Sequence, residues 1–464
     1  MSAHNTSNNI HTRAIAEFVS GLRYEKIPKE VLERCKLLML DSLGCAIFGT
    51  DLPWTRILQS SLSSIDASGG VAVWGTNIRL SAPNAVLING TQVQGFELDD
   101  VHRHGVLHVG AVTLPPLLAV AEMTKMSGRE FLTAAVAGYE IGPRVGICMG
   151  QEHIGQGWHS GATVGVFSAA AGAAKGFGLD ADRTVHALGI AGTQAAGLMA
   201  AQYGSMVKRM HAGRAAQSGF YGALLARDGF TGIVDVFEAP YGGFCTTFSR
   251  SDDRFDLSAL SAGLGKTFET MRISLKFFSC VGSNHTTLDA IRHLRNETPF
   301  SLDDLEKIVV HGSQVTVDHV GWEYRPEGLT SAQLNLPFCV ATLLIEGDVF
   351  VDQFTPDCVD NAARMALSRK VLVLHDPDIT ALGSKFRHKV RVDIHLRDGR
   401  VLSATREAPL GSEFSFASQG DIVDKFKKLA IKILPVNQID ELVDCVLNIE
   451  NQHDASKIVR LMCT

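Results

Sequence analysis

The chain has no CxxC pair, although it carries nine cysteines; they stand singly at 35, 45, 148, 245, 280, 339, 358, 445 and 463. Scattered thiols give neither a zinc knuckle nor a clustered iron–sulfur ligand set, so an aconitase-like cluster route is excluded. There is no uninterrupted apolar run of membrane-spanning length; the stretch Val164 to Ala174 is soon broken by Lys175. The first residues, MSAHNTSNNIHTRA, lack the basic region and apolar core of a signal peptide. Charge of one sign is also scarce. A formal net charge of −6 over 464 residues gives no reason to expect nucleic acid or an anionic membrane as partner. These absences point to a soluble, cytoplasmic protein with mostly buried, reduced thiols.

Three further absences narrow the chemistry. There is no GxSxG elbow, and no GxGxxG follows a strand. GLGKT at 263–267 looks like part of a phosphate-binding loop, but Leu260 stands where its first glycine is required.

What is present is mainly helical. A chain of this length is expected to form two domains. Ile15, Phe18, Val19 and Leu22 recur at helical spacing, and residues 132–226 are dense in Ala and Gly, which lets helices approach closely. This predicts an all-helical domain over 1–266. Between 267 and 405 the texture is α+β: KIVVHG (307–312) reads as a strand, and HKVRVDIHLRDGRVLSATRE reads as a hairpin turning at Asp398-Gly399. QLNLPFCVATLLIEG and CVDNAARMALSRKVLV read as helices. The amphipathic helices of the tail, within 406–464, are expected to pack back on the first domain.

Four segments can carry chemistry. In ELDDVHRHGVLHVGAVTLPP (97–116), Asp99, Asp100, His102, His104 and His108 crowd a glycine-broken, loop-like stretch. The spacing does not favour a metal site, since no HExxH helix is present. Acid–base work by a histidine with a carboxylate beside it fits better, against the plainer reading of a polar turn that caps a helix. His159, flanked by glycines before an apolar helix, is either a packed core histidine or an anion contact at a helix start, where Ser160 or Thr163 would cap. Lys208, Arg209, His211 and Arg214 form a basic patch within apolar sequence, with Lys208 and His211 on one helix face. Alone it would be a solvated face; among Ala- and Gly-rich helices it equally suits an anion site. Lys276 and His285 bracket a Gly-Ser turn at the proposed domain junction.

Taken in order, these segments resemble the MmgE/PrpD family over nearly the whole chain. The motif residues are Asp99, Asp100, His108, Gly110, Leu114 and Pro115; His159; Lys208 and His211; and Lys276, His285 and Asp289. EYRPEGLTSAQLNLPFCVATLL is similar to the family's second-domain segment. The resemblance implies a mainly α fold: a large all-helical domain, a smaller α+β lid domain, a homodimer, and no metal or organic cofactor. It implies a small di- or tricarboxylate substrate and chemistry through a carbanion next to a carboxylate. Epimerisation of an iminodisuccinate-like acid is the first expectation. Dehydration of a 2-methylcitrate-like acid or cis-aconitate-type decarboxylation is the alternative, and a carboxylate-binding protein without turnover is the non-enzymatic one. Val281 stands where the family's decarboxylases carry an extra histidine, which weighs against decarboxylation.

On this resemblance His108 and His159 are the candidate acid and base, with Asp100 orienting an imidazole. Lys208 and Lys276 are assigned to charge stabilisation and Tyr324 to proton delivery. Asp99, Arg209, His211, Arg214 and His285 are assigned to substrate binding, the arginines as carboxylate clamps.

Overall fold

Helical periodicity in the first 260 residues becomes a set of helices in a computed structural model that describes residues 9–66, 69–150, 152–202 and 205–463. The polar N-terminal residues 1–8 lie outside this range. The chain forms two compact units. The first comprises residues up to Gly95, Asp99–Ser274 and Ser418–Thr464; the second comprises Phe96–Leu98 and Leu275–Ala417.

In the first unit the main helices are Ile10–Gly21, Lys29–Gly49, Ala82–Val93, Val109–Thr124, Gly128–Met149, Gly165–Gly176, Ala181–Gly192 and Val207–Arg227. The central ones are buried almost throughout; Val109–Ala121 and Gly165–Ala174 are buried at every residue. Small residues permit this. A Cβ on Gly213 would stand 2.1 Å from the Leu87 carbonyl oxygen, so the Val207–Arg227 and Ala82–Val93 helices meet backbone to backbone there. The end of the 97–116 stretch, expected to be loop-like, is helical: Pro115 and Pro116 lie inside the Val109–Thr124 helix. Two short antiparallel ribbons interrupt the helices: β1 (Val71–Ala72) with β2 (Arg79–Leu80), and β3 (Val101–His102) with β4 (Ile273–Ser274). Pairings of two residues leave no period to read.

The boundary between units falls at 275, not 267, for a local reason. Backbone N–H groups of Glu269 and Thr270 both donate to the buried Glu140 carboxylate at 2.8 Å, and β4 then pairs with β3. The tail joins the first unit from Ser418, where Ser418 and Asp421 form a capping box for the Gln419–Ala430 helix. No helix among the described residues is long and apolar enough to cross a membrane.

The second unit holds a four-stranded sheet in the order β6-β5-β7-β8. Here β5 is Leu305–Gly312, β6 Val371–His375, β7 Val390–Leu396 and β8 Val401–Arg406. β5 and β6 run parallel; the other pairings are antiparallel. The β7–β8 turn has Gly399 at φ +89°, as the Asp-Gly signal requires. One expectation is corrected. The run ending in KVLV is not all helix: the helix stops at Ser368 and Val371 begins β6. Its β-branched residues find a partner in β5, which outweighs the helical pattern before them. Helices Gly282–Glu297 and Leu336–Glu346 pack on this sheet.

Candidate active site

The 97–116 segment is more ordered than a loop. β3 carries His102, a tight turn follows, and His108 occupies the N-cap position of the Val109–Thr124 helix. His102 is wholly buried and anchors the turn. Its Nδ1 accepts the Gly105 N–H at 2.9 Å, so Nε2 carries the proton and donates to Glu269 at 3.0 Å. Burial, the largest single influence, would raise the Glu269 carboxyl, yet the His102 hydrogen bond and charge together with the Arg272 and Arg144 charges outweigh it and bring the group down to about 2. Val106 sits at φ +48°, a strained conformation for a β-branched residue. Its carbonyl accepts a hydrogen bond from the Ser160 hydroxyl. That contact ties the His108 turn to the segment carrying His159. Ser160 is therefore a clamp, not the helix cap expected; His159 itself takes the N-cap position of Ser160–Thr163.

Asp99 and Asp100 are both fully buried, with different tasks. Asp99 Oδ2 lies 3.0 Å from His108 Nδ1, an ion-pair contact without hydrogen-bond alignment. Asp100 instead accepts the Gly110 N–H at 3.0 and 3.1 Å on its two oxygens. The assignment of Asp100 as the imidazole's partner is thus corrected. Adjacent residues point apart, so one carboxylate reaches the ring while the other satisfies an orphan helix N–H. Burial, then the neighbouring Asp99 charge, pushes the Asp100 carboxyl well above the carboxylate range. A carboxylate beside Nδ1 favours the tautomer with the proton on Nδ1, which leaves the lone pair on His108 Nε2.

His159 and His211 form a second group, their ring centroids 4.8 Å apart. The His211 imidazole is pushed down by burial and then by the charge of Lys208, which lies three residues earlier in the same helix. It is therefore held neutral beside a cation, and its buried Nδ1 has no hydrogen-bond partner among the described residues. Arg209 is buried and lies over the Trp54 ring, 5.5 Å from its centroid. Arg214 is exposed and donates to the Gln217 side chain.

The remaining candidates belong to the second unit. Lys276 is buried; its Nζ lies 3.3 Å from the Glu97 carbonyl and 3.4 Å from Glu97 Oε2. Glu97 was missed by sequence reading, although it heads the acidic run; its φ of +59° marks a backbone bent to reach the lysine. His285 is buried against Phe278, with Nε2 donating to the Cys280 carbonyl at 3.1 Å, so that nitrogen is already engaged. Tyr324 donates to the Val359 carbonyl at 2.7 Å, and burial pushes its hydroxyl up. Among the described residues, no group of three or more His, Cys, Asp and Glu is placed to hold a metal ion.

The fold and these motifs define a two-domain, mainly α enzyme family acting on small carboxylic acids. The chain belongs to the MmgE/PrpD family: residues 13–256 match its N-terminal domain and residues 278–451 its C-terminal domain. It is 35% identical to the cis-aconitate decarboxylase-like protein oryM of Aspergillus oryzae, covering 97% of each chain. It is 32% identical to the cis-aconitate decarboxylase of Aspergillus terreus (97% and 95% covered), and 26% identical to that of Mus musculus (97% and 93% covered).

Proposed function

We propose that this chain is a lyase that decarboxylates cis-aconitate or a closely similar unsaturated tricarboxylate. The observation that carries the reading is the similarity across both domains to relatives named as cis-aconitate decarboxylases. It favours the decarboxylase alternative over the epimerase expectation, because the relatives reported above carry decarboxylase names.

The chemistry suits the groups present. When the carboxylate on the CH2 arm leaves as CO2, the electrons of the broken C–C bond enter an allyl system. The negative charge spreads to the carbon beside a remaining carboxylate, and one proton added there completes the product. The barrier is the developing carbanion, so the site needs cations at the carboxylates and an acid at that carbon. Lys208 supplies a cation beside the neutral His211. His108, backed by Asp99, takes the role of acid. Val281 weighs against this reading at one position, the similarity across both domains outweighs it, and protonation is assigned to His108 or His159. Lys276, held by Glu97, and Tyr324 are the candidates that the second unit carries.

The test is incubation of the purified chain with cis-aconitate, 2-methylcitrate and iminodisuccinate separately, following CO2 release and proton NMR. CO2 from the first, with a product bearing a terminal =CH2 pair, is expected. Dehydration of 2-methylcitrate or α-hydrogen exchange in iminodisuccinate, with no CO2 from cis-aconitate, would overturn the reading. His108→Gln and His159→Gln should each lower kcat by about 10^2- to 10^4-fold.

A further inference from the structure

A buried ion pair acts electrostatically on Asp99, the carboxylate beside His108, and its two partners are 384 positions apart in sequence. Lys425, on the Gln419–Ala430 helix, places Nζ 2.5 Å from Oδ1 of Asp41 in the middle of the Lys29–Gly49 helix. Both side chains are essentially inaccessible to solvent. Around them stand the charged and titratable groups of every element packed there. Arg34 and Cys45 come from the Lys29–Gly49 helix, Asp99 and Asp100 from the turn, and Tyr139 from the Gly128–Met149 helix, while His108 is reached through Asp99. Asp99 feels both Asp41 and Lys425, and Arg34 feels both Asp41 and Asp100.

A buried ion pair is poor evidence of a stabilising device, because desolvation of two charges offsets most of their attraction. Its place in the charge balance says more. Three carboxylates, Asp41, Asp99 and Asp100, are closed off from water. Burial holds Asp100 towards its neutral form. Burial raises Asp41 too, but the Lys425 charge and hydrogen bond oppose that, so Asp41 and Lys425 are paired as ions, with Arg34 as a further cation close to them and to Asp100. Removing either member of the Asp41–Lys425 pair leaves an odd charge acting on Asp99, whose Oδ2 lies 3.0 Å from His108 Nδ1.

We propose that Asp41 and Lys425 are positioning residues for the reaction: their ion pair balances the charge around Asp99, so the C-terminal helix sets the proton state of His108. This rests on His108 acting as the acid of the proposed decarboxylation. Loss of Asp41 leaves a surplus cation, which makes His108 release its proton at lower pH. Loss of Lys425 leaves a surplus anion and does the opposite. Loss of both restores the balance. A purely structural pair has no such opposed signs.

The experiment is an NMR pH titration of the whole chain labelled with 13C at histidine Cε1, with His108 assigned by its absence in His108→Gln. Asp41→Asn should lower the His108 midpoint by about one pH unit and Lys425→Met should raise it similarly, as for one charge at roughly 10 Å through an effective dielectric of about 20. The Asp41→Asn/Lys425→Met pair should return within a few tenths of the parent, and the pH profile of CO2 release should move in step. If Lys425→Met does not fold, Asp41→Asn and the double variant decide. An unmoved midpoint in Asp41→Asn, or single variants moving in one direction, overturns the proposal. Because the titration needs no turnover, shifted midpoints in a chain that releases no CO2 would refute the decarboxylase reading alone. CO2 release with unmoved midpoints would refute this inference alone.

Discussion

Burial pushes the His153 imidazole from its ordinary 6.5 down to about 4, with the ring packed beside Phe244 and Phe248 and Nε2 at 2.7 Å from the Thr163 hydroxyl. Between these two values the unfolded chain binds a proton that the folded chain refuses, so stability rises with pH there. The contribution is complete above 6.5 and is lost as pH falls through 6.5 towards 4. Lowering the pH from 7.5 to 5 should cost about 2 kcal/mol at this residue. Urea unfolding at the two pH values should show that loss in the parent. His153→Leu should be less stable at pH 7.5 but lose correspondingly less on acidification; an unchanged pH response would show that another group carries it. Glu269 works further down the scale: held at about 2 by His102 against its own desolvation, it contributes above 4.5 and is lost as pH falls through about 2. Two buried groups close to candidate catalytic segments therefore contribute to the loss of stability in acid.

Among elements, the Val207–Arg227 helix carries the clearest liability, because Lys208 and His211 depend on its seat against Ala82–Val93. At Gly213 a methyl group would meet the Leu87 carbonyl oxygen at 2.1 Å and the Thr91 hydroxyl at 2.6 Å. The first obstacle is backbone and cannot rotate away. Alanine has the higher helix propensity by about 1 kcal/mol, but overpacking of this kind costs more, about 1–3 kcal/mol. Gly213→Ala should therefore lower the thermal midpoint, and a rise instead would show that the helices separate freely. The same element shows how far sequence reading reached. The Lys208/His211 spacing on one face was legible because helical period is local. That Arg209 leaves that group for Trp54 was not, since Trp54 lies on a different helix. The KVLV strand was missed for a related reason: five residues of β6 acquire their identity from pairing with β5.

At the scale of the whole molecule, the family pattern leads to a further proposal, that two chains associate. Light scattering on the eluting protein should then give twice the 50.0 kDa of one chain. A mass of one chain at working concentration would remove the dimer. The modest net charge leaves such association unopposed by strong self-repulsion.

Composition, periodicity and motif order were enough to determine the mainly α class and the family, because each of these is a property of short stretches. Acid beside histidine could be read in the Asp99–His108 run, but not which acid meets the ring. Only the tertiary structure decided that Asp99 faces His108 while Asp100 turns to the Gly110 N–H, that Glu97 holds Lys276, and that Lys425 lies against Asp41. The physical reason is the same in each case. Charge interactions depend on distance and on the exclusion of water, and for groups hundreds of residues apart packing alone sets both.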